Sequence, residues 1–407
     1  IPAGSTSPPL GHLSPRPGRA SSPILRPTMD FRFTPEQESF RGEVRSFIKT
    51  EWPKAREGES FTRKLAAKGW LTMSWPVEHG GQGADHMRQL VYNEEMAYNR
   101  APGQTMGTDR VGPTIILFGT DEQKKELLPR IIKDEITWCQ GFSEPGSGSD
   151  LASLQTRAIR DGDHYIVNGQ KIWTSNAQRA DYIILLARTE PDAPKHRGIT
   201  YFLVDMKSPG ITVRPLMQMT GQAGFNEVFF DDVRVPASAV VGEVNRGWYV
   251  STATLDFERS GIGRVIGGLR TYEEVVEHAR QTPAREAGGA TLWDDRATRL
   301  ALADIGLSFR VGRLLSYRVA WMQSKGMVPN YEASMAKTLG TELHQRMARV
   351  AMNTLGMAGQ VMSGTGAAID GLGGNTYLST VSLTIAAGTS EINRNIIAQR
   401  GLGLPRG

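Results

Sequence analysis

The hydrophobic period of this chain changes twice, from helical to alternating and back to helical, and this limits its fold more than any other feature. From Phe31 to about Thr137 apolar residues recur at helical spacing, as in Phe40, Val44, Phe47 and Ile48 and again in Leu127, Leu128, Ile131 and Ile132. Trp75-Pro76 and His79-Gly80-Gly81 punctuate this region as a loop between helices. Between about Trp138 and Pro236 the residues become β-branched and aromatic. Tyr165-Ile166-Val167, Asn168-Gly169 and Gln170-Lys171-Ile172-Trp173 read as a hairpin closed by a type I′ turn. Tyr182 to Ala187, Ile199 to Val204 and Val228 to Val235 read as further strands of a small β-barrel or sandwich. No strand alternates with a helix here, which argues against a parallel sheet. After about Gly242 the helical period returns, and Leu300, Leu302, Ile305, Leu307, Val311, Leu314 and Leu315 suggest a buried four-helix bundle.

The fold class expected is therefore mainly α with a central β domain. The boundaries expected are a tail at 1–28, a helical domain at 29–137, a β domain at 138–240 and a helical bundle at 241–407. The tail holds seven prolines and many serines and cannot bury enough apolar surface to fold. It is Arg-rich and acid-free like a transit peptide, but its prolines would break the amphipathic helix such peptides form. We read it as non-native upstream sequence, with Met29 as the start.

Charge and cysteine content exclude several classes. The formal charge is +5, but Arg16, Arg19 and Arg26 lie in the acid-free tail, so the remainder carries +2. Lys124-Lys125 and Lys195-His196-Arg197 are short and lack interleaved aromatics, so no nucleic-acid surface is indicated. No apolar run approaches the roughly 18 residues needed to span a bilayer. The single cysteine, Cys139, excludes an internal disulfide and a cysteine cluster for metal, and reads as a buried packing thiol. No metal is expected, and the setting expected is a bacterial cytoplasm, or a mitochondrial matrix in a eukaryote.

The segment Gln140-Gly-Phe-Ser-Glu-Pro-Gly-Ser-Gly-Ser-Asp150 joins the helical and β regions with three glycines and several hydroxyls. Glycine permits close backbone approach, and exposed N–H groups with serine hydroxyls can hold phosphate without a lysine. A plain interdomain turn has the same composition. The loop has no G-x-G-x-x-G between a strand and a helix, which disfavours a nicotinamide site. Further on, Ile172-Trp-Thr-Ser-Asn176 sets an indole and two hydroxyls at a strand end, where an indole is ordinarily core.

The order Ser-Glu-Pro-Gly-Ser-Gly-Ser-Asp, Asn-Gly-Gln-Lys-Ile-Trp-Thr-Ser-Asn, Asp-Val-Arg-Val-Pro and Gly-Thr-Ser-Glu-Ile resembles the acyl-CoA dehydrogenases from about Phe31 to Leu404. The resemblance implies that Gln140, Phe142 and Ser143 line FAD, that Ser149 lies near its pyrophosphate and the coenzyme A, and that Trp173, Thr174 and Ser175 cover the isoalloxazine. It implies that Thr389 and Glu391 complete the flavin site. It also implies that Arg280, Asn353 and Gly356 serve the cofactor's far end, although Gln281 to Asp295 is rewritten and one glycine of a Gly-Gly pair is missing in Asn353 to Gly359. Similar departures occur in α2β2 bacterial enzymes for sterol side chains.

In many members the base is a glutamate directly before Gly388-Thr389, where this chain has Ala387. Alanine cannot take a proton. Glu258, in Leu255-Asp-Phe-Glu-Arg259, lies on a stripe with Ser251, Thr254, Leu255, Ile262, Val265, Ile266 and Leu269, as if on one helix. A carboxylate in such a stripe is either half of a buried ion pair with an arginine or a base whose pKa burial raises. The resemblance favours the base, because isovaleryl-CoA and long-chain acyl-CoA dehydrogenases carry it at this Glu-Arg step. It implies that Glu258 takes the pro-R Cα proton while a hydride leaves Cβ for flavin N5. Asp256, Arg259, Ser149 and Gly388 would contact substrate, and the Ala387 backbone N–H would donate to the thioester carbonyl. Electrons would pass to an electron-transferring flavoprotein, from a homo-oligomer or an α2β2 assembly. The competing readings are an FAD-holding subunit that depends on a partner, an oxygen-using flavoprotein of the same fold, and a helical binding module.

Overall fold

The computed structural model describes residues 30–57, 60–259, 262–284 and 290–405; the proline-rich tail and Met29 lie outside the described residues. The N-terminal region is helical, with α1 (Pro35–Glu51), α2 (Phe61–Ala67), α3 (His86–Tyr98), α4 (Gly112–Phe118) and α5 (Asp121–Ile132). Thr34 and Thr120 each close a capping box on a glutamine three residues on, which fixes where α1 and α5 begin. Phe40, Val44, Ile48, Leu65, Trp70 and Tyr92 form a core among α1, α2 and α3.

Seven strands follow: β1 (Trp138–Gly141), β2 (Arg157–Asp161), β3 (His164–Lys171), β4 (Tyr182–Arg188), β5 (Ile199–Asp205), β6 (Ile211–Leu216) and β7 (Phe225–Pro236). They form one sheet in the order β1-β4-β2-β3-β7-β6, with β5 also paired to β4. Its two halves, β1-β4-β5 and β2-β3-β7-β6, meet where Arg157 pairs with Arg188. Cys139, opposite Ile183 in the β1–β4 pairing, is buried, as its sequence setting suggested.

One β expectation needs correction. Asn168-Gly169 does not turn the chain. It continues β3 opposite a bulge in β7, where Asp231 and Asp232 together face Asn168 between the Val167–Val233 and Gly169–Phe230 pairs. Gly169 has φ +148° and lies so close to Thr156 that an added Cβ would meet that residue at 2.6 to 2.9 Å. The Asn168 amide is taken by Asp232 at 2.9 Å. The hairpin turn comes earlier, between β2 and β3, where Gly162 has φ +61°. The sheet is mainly antiparallel, with parallel pairing between β1 and β4. The crossover joining them is built from β2, β3 and loops instead of a helix.

The C-terminal region contains α6 (Gly247–Arg259), α7 (Gly263–Ile266), α8 (Leu269–Gln281), α9 (Arg296–Ser324), α10 (Tyr331–Gly359), α11 (Leu372–Ser379) and α12 (Ser390–Ile396). Ile262, Val265, Val275, Leu302, Ile305, Phe309, Leu343 and Met347 form the bundle core. The stripe that includes Glu258 is thus not one helix, because α6 ends at Arg259 and the path resumes as α7 and α8. Nor is the leucine run on α9 all core. Leu300, Leu307, Val311 and Leu314 are 59%, 62%, 45% and 48% exposed, whereas Leu302 and Ile305 are buried. On a 29-residue helix these exposed positions fall on one side, separate from the bundle face.

Candidate active site

The loop after β1 is held by a buried ion pair. The Glu144 carboxylate accepts from the Lys171 ammonium at 2.7 Å and from the backbone N–H groups of Gln155 at 2.6 Å and Thr156 at 2.9 Å. Lys171 also donates to the Phe142 carbonyl at 3.1 Å, and its side chain is fully buried. Burial pulls the Lys171 pKa down to about 8 against the attraction of Glu144. Burial opposes the charged form of Glu144 as well, but Lys171 and the backbone donors outweigh it and keep the carboxyl below its usual range. Glu144 and Ser147 exchange backbone hydrogen bonds at 2.8 and 3.0 Å, which pinches the Pro145-Gly146 tip. The Ser147 hydroxyl donates to the carbonyls of Asp150 and Leu151.

This frame places the sequence-predicted residues. Ile172 N–H donates to the Ser143 carbonyl at 2.9 Å, joining the loop to the end of β3. Phe142 is buried edge-on against Tyr201, while Ser149 is exposed. Trp173 is 60% exposed with φ +60° and meets Phe225 edge-on at 6.2 Å. An indole in the left-handed region costs about 1–2 kcal/mol and is expected only where surroundings or function demand it. Thr174 follows, fully buried, with its N–H on the Asn226 carbonyl at 3.0 Å. Its hydroxyl and the Gln140 Oε1 are buried without a hydrogen-bond partner among the described residues. Such orphaned groups cost about 1–3 kcal/mol each unless something else satisfies them. Ser175 is half-buried.

The second part of the site is the turn before α12. Ala387 and Gly388 have φ +55° and +85°. The Gly388 carbonyl accepts from Lys337 Nζ at 2.7 Å and from Asn393 Nδ2 at 2.8 Å. Thr389 caps α12, its hydroxyl accepting from Ile392 N–H at 3.2 Å. Among the described residues, the N–H groups of Ala387, Gly388 and Thr389 have no acceptor. Glu391 is exposed in the first turn, where its own N–H and the Thr389 hydroxyl keep its carboxyl below the usual range.

Helix α6 packs against β5, α4 and α10, with Thr254 hydrogen-bonded to Thr114 at 2.9 Å. Its last turn carries Asp256, Glu258 and Arg259, whose side chains lie outside the described residues. Arg280, Asn353 and Gly356 stand apart from the loop. Arg280 covers the Trp293 ring at 4.7 Å, and Asn353 and Gly356 are exposed near the kinked end of α10.

Sequence reasoning gave no role to Glu144, Lys171, Lys337 or Asn393. Two signals were available. Lys171 shares the inward parity of Tyr165 and Val167 on β3, and Lys337 falls at helical spacing with the buried small residues Ala333, Gly340 and Thr341.

Family models for acyl-CoA dehydrogenases match all three regions: the N-terminal domain over residues 34–135, the middle domain over 139–233 and the C-terminal domain over 245–402. The chain belongs to the acyl-CoA dehydrogenase family. It is an oxidoreductase with the three-part acyl-CoA dehydrogenase fold. Acyl-CoA dehydrogenase IpdE1 of Mycobacterium tuberculosis is 41% identical over 86% of this chain and 89% of its own length. The Tcur3481-Tcur3483 steroid ACAD is similar in structure, with a TM-score of 0.84 and 34% identity over 93% of this chain and 100% of that one. The ChsE4-ChsE5 complex of M. tuberculosis has a TM-score of 0.82 and 38% identity over 93% and 100%.

Proposed function

We propose that this acyl-CoA dehydrogenase removes hydrogens from Cα and Cβ of a bulky, sterol-derived coenzyme A thioester, with Glu258 as base and FAD as cofactor. The observation that carries the reading is the Ala387–Thr389 turn. Its three consecutive amides have no acceptor among the described residues, and the side chain beside them is only a methyl. Such a concave set of N–H groups suits an oxygen that gains negative charge.

The chain's own groups then divide the work. The Ala387 N–H donates to the thioester carbonyl and makes the Cα proton more acidic. Glu258, at the end of α6, takes that proton and is left as a neutral carboxylic acid. Asp256 and Arg259, in the same helical turn, would contact the substrate, as would Ser149 and Gly388. Gln140, Phe142, Ser143, Trp173, Thr174 and Ser175 would hold FAD, and the unpartnered Gln140 Oε1 and Thr174 hydroxyl fit a polar ligand laid over this strand. Thr389 and Glu391 would complete that site, with Arg280, Asn353 and Gly356 at its far end. FAD, when bound, supplies the hydride acceptor for Cβ.

The substrate class rests on the relatives described as steroid enzymes. We assign the reoxidation of the cofactor to an electron-transferring flavoprotein. The exposed apolar side of α9 supports an assembly of more than one chain, either homo-oligomeric or α2β2 with a related chain as in the two-chain relatives. The test is anaerobic incubation with isovaleryl-CoA, palmitoyl-CoA and a sterol side-chain CoA thioester, with products identified by mass. An enoyl product lighter by two hydrogens from the sterol thioester is expected; formation from isovaleryl-CoA or palmitoyl-CoA alone would contradict the substrate class.

A further inference from the structure

The Gly388 carbonyl receives two side-chain donors from two helices, Lys337 Nζ of α10 at 2.7 Å and Asn393 Nδ2 of α12 at 2.8 Å. Lys337 is 1% exposed and Asn393 is fully buried. An ammonium is costly to remove from water, and here one of its anchors is a neutral peptide oxygen. Asn393 also donates to the Thr389 carbonyl at 2.9 Å, so the turn is held at two successive peptides.

The constraint matters because of the backbone on either side. Ala387 is an alanine at φ +55°, a conformation that surroundings must impose, and Gly388 follows at φ +85°. A trans peptide sets its N–H opposite its carbonyl. Fixing the Gly388 carbonyl against α10 and α12 therefore aims the Thr389 N–H away from those helices, and it fixes the Ala387 and Gly388 amides just before it. We propose that Lys337 is a positioning residue for the reaction, which together with Asn393 clamps the Gly388 carbonyl so that the Ala387–Thr389 amides are preorganised for the thioester oxygen. This rests on the reading of that turn as the oxyanion donor. It adds a buried lysine anchored on the carbonyl of the same turn.

The test compares two unreactive ligands on the FAD-loaded enzyme by calorimetry. 3-Thiaoctanoyl-CoA keeps the thioester carbonyl and has sulfur in place of Cβ, whereas S-octyl-CoA lacks the carbonyl. Wild type should prefer the thioester, and Lys337→Met should lose that preference on the order of tenfold or more while binding S-octyl-CoA as wild type does. Lys337→Arg, which retains a charged donor, should restore part of it. Where Lys337→Met gives no folded protein, Asn393→Ser removes the other donor to the same carbonyl and should show the same selective loss. A folded variant that keeps the full preference, or that loses both ligands equally, would overturn the positioning role. Absence of any preference in wild type would instead overturn the oxyanion reading beneath it.

Discussion

The Lys171 ammonium lies 2.7 Å from the Glu144 carboxylate, with both side chains closed off from solvent. This pair ties the loop of residues 140–150 to the end of β3, so the indole of Trp173 and the edge of Ser143 move as one unit. Removing one partner leaves a buried charge uncompensated. Lys171→Met should therefore destabilise the protein by about 3–5 kcal/mol and lower the flavin-to-protein ratio after purification. Denaturant unfolding and flavin absorbance would measure both. A variant with normal stability and full flavin would show that the pair does not hold the loop.

Glu144 also predicts a dependence on pH. Its folded pKa lies below the ordinary 4.5, so near and below that value the unfolded chain binds more protons than the folded one. Stability from this group is then fully present above pH 4.5 and is lost as pH falls through its lower folded pKa. Thermal melts on the acid side should fall more steeply for wild type than for Glu144→Gln. Parallel curves would remove this carboxylate from the account.

Trp173 should separate stability from cofactor retention. It is 60% exposed and sits at φ +60°, so Trp173→Gly relieves backbone strain and should leave stability unchanged or raised by up to about 1 kcal/mol. The same change removes an aromatic face worth about 0.5–1.5 kcal/mol, so FAD should dissociate several-fold more readily in gel filtration. Retention equal to wild type would mean that the indole does not cover the cofactor.

The apolar side of α9 should be covered in solution. Leu307 and Leu314 are 62% and 48% exposed in a single chain, and burying either stabilises an interface by about 1.5–3 kcal/mol. Leu307→Asp should shift the light-scattering mass toward a single chain without unfolding it. An unchanged mass would place the interface elsewhere.

The periodicity of the sequence located the three regions, the runs that became β4 and β5, because strands buried on both faces read as continuous apolar segments, and β7, whose burial alternates. It failed where long-range packing overrode a local signal. Asn168-Gly169 is the residue pair of a tight turn, yet the ladder between β3 and β7 carries on through it opposite a bulge in β7, with Thr156 filling the space beside Gly169. The α9 leucines are apolar at a spacing that serves two faces, and only one of them meets the bundle. The motif residues Gln140 to Ser143 and Trp173 to Ser175 were visible in the sequence. The lysines behind them were not, because Lys171 and Lys337 owe their significance to carboxylate and carbonyl partners distant in the chain.

Glu258 is proposed as the base, since Ala387 cannot take a proton. The direct measurement is anaerobic mixing of a sterol side-chain CoA thioester with FAD-loaded wild type and Glu258→Gln, following loss of oxidised-flavin absorbance. The account predicts rapid bleaching in wild type and a rate lower by at least about 10²-fold in the variant, with the thioester still bound. Bleaching at the wild-type rate in Glu258→Gln would contradict it and assign the proton to another group.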